Sequence, residues 1–248
     1  MPIQLGVESL NASIDGKEVL RDVAVTAQAG HVLALMGRTG SGKSTFLRVI
    51  NRMAEQHGAV VSGHIMLDNN SIFMQEPNEL RKKVGMVFTE PVIFSGNVMS
   101  NITAGLRLQG IYKKHALEEA VEETLHRMEI YNEFKDMLYM DAGQLTRGQA
   151  QLTCIARALA LKPGLLLLDE PTRLIDSVTA MKVEDMLYNL RRECTMVIAV
   201  HSPRMAGRIA EETVMMEDGR VLEWGKTSDL FFHPQHLQTE RFVSEKFA

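Results

Sequence analysis

The stretch Gly37-Arg38-Thr39-Gly40-Ser41-Gly42-Lys43-Ser44-Thr45 has the spacing G-x-x-x-x-G-K-[ST]. Its three glycines can take backbone angles closed to other residues, so the chain there can wrap a small anion closely. Successive amide N–H groups then point inward as a nest for phosphate, and the start of the following helix adds its own free donors. Lys43 would reach the β- and γ-phosphates of a nucleotide, and Ser44 would offer its hydroxyl to Mg²⁺. A glycine-rich turn without a ligand is the competing reading. The flanks argue against it: His31–Met36 reads as a short apolar strand and Thr45–Ile50 as the first turns of a helix, the context phosphate binding needs.

Two further positions carry chemistry. Four leucines, 165–168, lead into Asp169-Glu170. An acid at the end of such a strand suits a Walker B aspartate holding Mg²⁺, and Glu170 is placed to act as general base on an attacking water. The apolar run Thr195–Val200 leads into His201, which could hydrogen-bond a γ-phosphate or orient that water. A charged pair closing a strand and a solvent-exposed turn histidine are the plain alternatives. His57, His64 and His126 have no comparable placement.

The elements that must position these residues alternate. Residues 3–10 and 19–27 read as antiparallel strands turning at Asp15-Gly16. The helix after the glycine loop runs to about Met53, and 63–70 reads as strand and turn. Pro77 opens a short helix with Asn78 as its cap, and 84–88 is a second apolar strand. From about Asn97 to Glu133 the period becomes helical: Leu117, Val121, Leu125 and Met128 share one face, and Glu118, Glu119, Glu122 and Glu123 cover the other. Thr146 with Gln149 forms a capping box for a helix over 146–161. Ser177 caps a helix to about Arg192, Pro203 starts one to about Ala210, and 214–217 with 220–224 form a hairpin across Asp218-Gly219. Strand, helix, strand repetition predicts an α/β fold with a mostly parallel sheet and right-handed crossovers. The three chemical positions then share the carboxyl edge of that sheet.

Composition narrows the rest. The chain has 248 residues and a formal charge of −4, with no basic footprint, so nucleic acid is not an expected partner. Cys154 and Cys194 are unpatterned and read as free buried thiols. No leader peptide is expected, since Met1-Pro2-Ile3-Gln4 runs into a strand. No apolar run approaches membrane-spanning length. The sixteen methionines read as core filler.

Taken together, these motifs resemble the nucleotide-binding subunit of an ATP-binding cassette transporter along nearly the whole chain. The likeness is strongest to the ATPase subunits of phosphate importers. It is carried by 47–53 (LRVINRM), 80–88 (LRKKVGMVF), 101–108 (NITAGLRL) and 154–160 (CIARALA). The resemblance implies a phosphate-loop NTPase, one domain over 1–248. Its RecA-like body lies at about 1–90 and 163–248, with an antiparallel β subdomain at the N-terminus and an inserted helical subdomain at about 91–162. It implies ATP and Mg²⁺ as ligands, with Ser44 and Asp169 on the metal, Glu170 and His201 catalytic, and the whole of 37–45 on the nucleotide. It also implies transmembrane permease subunits as partners, and a second ATPase subunit packed head to tail so that each ATP touches the loop of one chain and the signature helix of the other. The location implied is peripheral, on the cytoplasmic face of the cell membrane. Asp176 stands at the family's D-loop aspartate.

Four positions depart from the family pattern. The signature loop, Leu-Ser-Gly-Gly-Gln in most members, is Leu145-Thr146-Arg147-Gly148-Gln149 here. Arg147 brings a positive charge to a helix N-terminus, opposing the dipole by roughly 0.3–1 kcal/mol, or else it pairs with a phosphate in the facing site. The family's lid glutamine is Thr89. The adenine-stacking aromatic is missing, with Ile14 and Asp15 in its place, and Arg173-Leu174-Ile175 replaces the small residues that open the D-loop. These departures leave the chain's own half-site competent and weaken what it gives the facing one, which favours pairing with a more typical ATPase subunit over a homodimer. The expected function is ATP hydrolysis driving uptake of phosphate or a related small anion. The alternatives are a low-turnover ATP-dependent dimerisation switch, and an importer ATPase for another ion or an amino acid. A soluble cassette ATPase of DNA repair or translation would carry a basic arm or a coiled-coil insertion, and neither is visible.

Overall fold

The computed structural model describes residues 1–247. It begins with a hairpin, β1 (Leu5–Ile14) and β2 (Lys17–Ala27), which turns at Asp15-Gly16. Both turn residues have positive φ, 50° and 75°, the geometry whose twist matches antiparallel strands. β1 runs four residues beyond the stretch its alternation marked. The cause is an irregularity around Ser9, at φ 48°, which shifts the pairing register and breaks the period of two. With β4 (Val60–Leu67) and the two-residue β5 (Asn70–Ser71), this hairpin makes a four-stranded antiparallel sheet in the order β2-β1-β4-β5.

The second sheet holds the chemistry. It contains β3 (Val32–Met36), β6 (Val84–Val87), β7 (Leu165–Asp169), β8 (Thr195–Ala199), β9 (Glu212–Glu217) and β10 (Arg220–Lys226), in the order β10-β9-β3-β8-β7-β6. Every neighbouring pair except β9–β10 is parallel. β3, β7 and β8 are buried along their whole lengths because each face meets a different core. Val32, Ala34, Met36, Leu166, Leu168, Met196 and Ile198 face one core; Leu33, Leu35, Leu165, Leu167, Val197 and Ala199 face the other. This is why their sequences read as unbroken apolar runs instead of alternating ones.

Helices fill both faces. α1 (Lys43–Ile50) buries Phe46, Leu47, Val49 and Ile50 between the two sheets. It stops three residues short of the expected Met53: Arg52 turns left-handed at φ 57°, and Arg81 donates to the carbonyls of Asn51 and Arg52, which the helix end leaves free. α2 (Pro77–Lys83) has Glu76, not Asn78, at its cap position. Pro77 takes the first helical position, where its fixed φ is preorganised and its missing N–H costs nothing, so Asn78 falls inside the helix.

Between β6 and β7 the chain is helical: α3 (Val98–Ile102), α4 (Ala104–Leu108), α5 (Lys114–Arg127), α6 (Tyr131–Phe134) and α7 (Arg147–Leu159). Leu117, Val121, Leu125 and Met128 are buried together as their spacing requires. After β7 come α8 (Ser177–Leu190) and α9 (Pro203–Ile209), and α10 (Thr227–Phe232) and α11 (Leu237–Phe247) follow β10. The cap of α8 is Asp176 and not Ser177: its carboxylate accepts from the Thr179 N–H at 2.9 Å and from the Thr179 hydroxyl at 2.7 Å. An ionised cap also complements the helix dipole, which a serine hydroxyl does not.

Candidate nucleotide site

β3, β8 and β7 lie side by side in the sheet and run parallel, so their carboxyl ends open on one edge. The glycine loop leaves β3, Asp169-Glu170 closes β7, and His201 follows β8 by two residues. Gly37, Gly40 and Gly42 all have positive φ, at 141°, 86° and 102°. Arg38, Thr39 and Gly40 are exposed at the loop tip, whereas Ser41 and Lys43 are buried.

The Lys43 ammonium spans the loop, donating to the carbonyls of Gly37 at 2.7 Å and Arg38 at 3.1 Å, and lies 3.8 Å from Glu170 Oε1. Burial pulls its pKa below the ordinary lysine value, against the attraction of Glu170 and Asp169. Ser44 Oγ donates to Asp169 Oδ1 at 2.8 Å, and Arg48 stands 3.8 Å from Asp169 Oδ2. Burial raises the Asp169 pKa; the Ser44 hydrogen bond and the Arg48 charge oppose that rise. The buried Ser41 hydroxyl has no hydrogen-bond partner. A buried cation and an orphaned hydroxyl beside the glycine loop form a donor set for phosphate oxygens. Ser44 and Asp169 supply two hard oxygens side by side, suited to Mg²⁺. Among the described residues no group of three or more His, Cys, Asp or Glu could hold a metal. A Mg²⁺ here would therefore draw its remaining ligands from phosphate and water, as this ion usually does.

Glu170 sits at φ 44°, its N–H donating to the Ala199 carbonyl of β8 and its Oε2 accepting from Arg173 at 2.8 Å. Thr89 donates its hydroxyl to the Asp169 carbonyl at 2.8 Å, which ties the lid segment directly to the end of β7. Val19, Thr39, Gly40, Gly42, Lys43, Ser44, Thr45, Thr89, Glu170 and Arg173 line one cavity over the glycine loop. His201 lines a neighbouring cavity with Thr172, Ser177 and Met205, and Arg173 borders both. On the β1–β2 side it is Val19, not Ile14 or Asp15, that reaches the phosphate cavity.

The signature residues lie outside that cavity. Thr146 caps α7 in the capping box with Gln149. Arg147 Nη2 is 3.4 Å from Glu90 Oε1, an exposed pair across the lid loop. A side chain at Gly148 would meet Thr179 at 2.9 Å, so the starts of α7 and α8 pack tightly and bring the signature loop against the segment around Asp176.

Three participants are not apparent from the sequence alone. Gln151, fully buried in α7, donates to the carbonyls of Phe88 at 3.1 Å and Pro171 at 3.1 Å, which joins the signature helix to the lid loop and to the turn after Glu170. Asp218-Gly219 wedges against the phosphate loop: Gly219 N–H donates to the Ser41 carbonyl and its own carbonyl accepts from Arg21 N–H. The third is Arg173, marked in the sequence as a departure at the start of the D-loop; its spacing of three from Glu170 was the signal for the contact the two make.

The family model described as ABC transporter matches residues 20–173. A phosphate import ATP-binding protein, PstB 1 of Streptococcus agalactiae, is 40% identical over 247 residues, 98% of each chain. PstB 1 of Streptococcus pneumoniae is 39% identical over the same coverage. Among solved structures, CbiO1 from Clostridium perfringens, part of the ABC transporter complex CbiONQ, superposes with a TM-score of 0.81 at 25% identity, covering 100% of this chain and 98% of that one. A bacterial Atm1-family ABC exporter with ATP bound shares the fold, with a TM-score of 0.83 at 21% identity over 99% of this chain and 42% of that one. With a family match across most of the chain and two-fifths identity from end to end, this protein belongs to the ABC transporter family and is one of its ATPase subunits.

Proposed function

We propose that this subunit binds Mg-ATP at the glycine loop and that its hydrolysis powers uptake of phosphate, or a related small anion, through membrane permease subunits. The observation that carries the chemistry is the cavity that Lys43, Ser44 and Glu170 line together, with Asp169 accepting from the Ser44 hydroxyl. The identity of about 40% with proteins named for phosphate import carries the substrate class. Residues 37–45 would grip the triphosphate, with Lys43 exchanging its bonds to loop carbonyls for phosphate oxygens. Ser44 and Asp169 would hold Mg²⁺, which when bound neutralises charge developing on the transferred phosphoryl group. Glu170 would take the proton of the attacking water, and His201, in the adjoining cavity, would steady that water or the γ-phosphate.

In this reading Thr146, Arg147, Gly148, Gln149 and Asp176 face the nucleotide of a second ATPase subunit, and Thr89 relays the state of the permease. ATP would favour the closed pair because it binds both faces there and only one when they are apart. No helix among the described residues is long and apolar enough to cross a membrane, so attachment on the cytoplasmic side would come through the permease. The test is phosphate uptake into proteoliposomes holding the permease pair and this subunit. Uptake should require ATP inside the assay compartment with the ATPase and stop with Glu170→Gln. Stimulation of hydrolysis by an amino acid or another ion instead of phosphate would reassign the substrate, and a rate unchanged by Glu170→Gln would favour the low-turnover switch.

A further inference from the structure

Both oxygens of Glu170 are engaged. Oε1 lies 3.8 Å from the Lys43 ammonium, and Oε2 accepts a 2.8 Å hydrogen bond from Arg173 Nη1. The second contact is built by the backbone. Glu170 is held at φ 44°, its N–H is pinned to Ala199 on β8, and the Arg173 N–H returns to the Glu170 carbonyl at 3.2 Å. That closes a four-residue turn with Pro171 at its second position, where the fixed φ of proline is favoured. The first and fourth side chains of the turn therefore meet without the ordering cost of two free side chains finding each other.

The setting differs from the chain's other pairs of this spacing. In Arg21–Glu18, Arg52–Glu55 and Lys82–Glu79 the glutamate side chains are 54%, 34% and 61% exposed. Glu170 is 10% exposed, so solvent screens its pair with Arg173 far less. Arg173 also borders the phosphate cavity beside Lys43 and Thr89.

We propose that Arg173 is a brake on Glu170: a positioning residue whose guanidinium holds Oε2 and competes with the attacking water for the carboxylate's lone pairs. The proposal rests on the reading of Glu170 as general base. In hydrolysis a water oxygen bonds to the γ-phosphorus, its proton passes to Glu170, and the bond from that phosphorus to the bridging oxygen breaks to leave ADP and inorganic phosphate. While Arg173 holds Oε2, fewer of the carboxylate's lone pairs are open to the water, so proton transfer to Glu170 is slowed and not abolished. The brake acts on the proton-transfer step and not on nucleotide binding, because the glycine loop and Lys43 hold the phosphates independently.

The test uses the full-length purified subunit and steady-state ATP hydrolysis with saturating Mg²⁺. Arg173→Ala should raise kcat roughly fivefold, the worth of a partly exposed charge-assisted bond, with KM changed less than about twofold. Arg173→Gln, two bonds shorter and uncharged, no longer reaches Oε2 and should behave alike. Arg173→Lys, still able to donate to the carboxylate, should stay near wild type. Placed in Glu170→Gln, Arg173→Ala should change nothing, a dependence that a merely structural role would not show. A kcat at or below wild type for Arg173→Ala and Arg173→Gln overturns the brake. A raised KM for ATP together with a lowered kcat overturns it too, and assigns the guanidinium to the phosphates. If Glu170→Gln alone hydrolyses at the wild-type rate, the general-base reading fails, an outcome separate from either result for Arg173.

Discussion

Gly37→Ala offers a sharp check on the glycine loop. Gly37 sits at φ 141°, and a Cβ there would fall 2.2 Å from the Met216 carbonyl oxygen and 2.7 Å from Ser41 Oγ. The carbonyl cannot yield easily: it belongs to β9, whose Met215 is in register with Met36 of β3. Two costs add, about 1–3 kcal/mol for an L residue in a glycine-only backbone region and about 1–3 kcal/mol for overpacking. The sum, roughly 2–6 kcal/mol, is a large share of the roughly 5–15 kcal/mol that holds a domain folded. For a chain of this size it lowers Tm by roughly 5–20 °C. ATP binding should fall as well, because the Gly37 carbonyl that anchors Lys43 would be displaced. Gly40→Ala is the control. Gly40 also has positive φ, at 86°, but no atom lies within 4 Å of its Cβ position, so only the conformational cost of about 1–2 kcal/mol applies. Urea denaturation of the three proteins, with ATP affinity measured alongside, decides the matter. Equal destabilisation by the two substitutions, or a Gly37→Ala protein within about 0.5 kcal/mol of wild type, would refute the packing argument.

Other outcomes follow from the same geometry. Ser44→Ala removes the 2.8 Å donor to Asp169 and one oxygen of the proposed metal pair; the Mg²⁺ concentration for half-maximal hydrolysis should rise, read by titration at fixed ATP. Gln151→Leu frees the carbonyls of Phe88 and Pro171 but also deletes a buried amide oxygen that has no partner, so the net loss should be about 1 kcal/mol in urea denaturation. Cys194 is buried, and burial pushes its thiol up to about 12 from 9.0. The unfolded thiol ionises first, so stability is present below about pH 9 and lost as pH rises toward 12; Cys194→Ala should show a shallower alkaline decline between about pH 9 and 12.

Much of this protein was legible from residue order. The loop at 37–45, the apolar strands before it and before Asp169 and His201, the capping box at Thr146 and Gln149, and the buried face Leu117–Met128 each rest on local periodicity or on interactions within four residues. Local rules suffice where the physics is local. Helix ends were less legible because neighbours compete for them. Arg81, far along the chain, satisfies the carbonyls that end α1, and the ionised Asp176 displaces Ser177 as a cap.

The tertiary structure decided what lies beside what. Sequence separates Gln151 from Phe88 by 63 residues and Gly219 from Ser41 by far more, yet these bonds brace the lid and the phosphate loop. It also settled which groups face Glu170. Sequence supplied the carboxylate and, three residues on, a cation; only the left-handed turn at Glu170, pinned to β8, brings the two side chains together, since the direction of a side chain depends on a backbone angle that residue type leaves open.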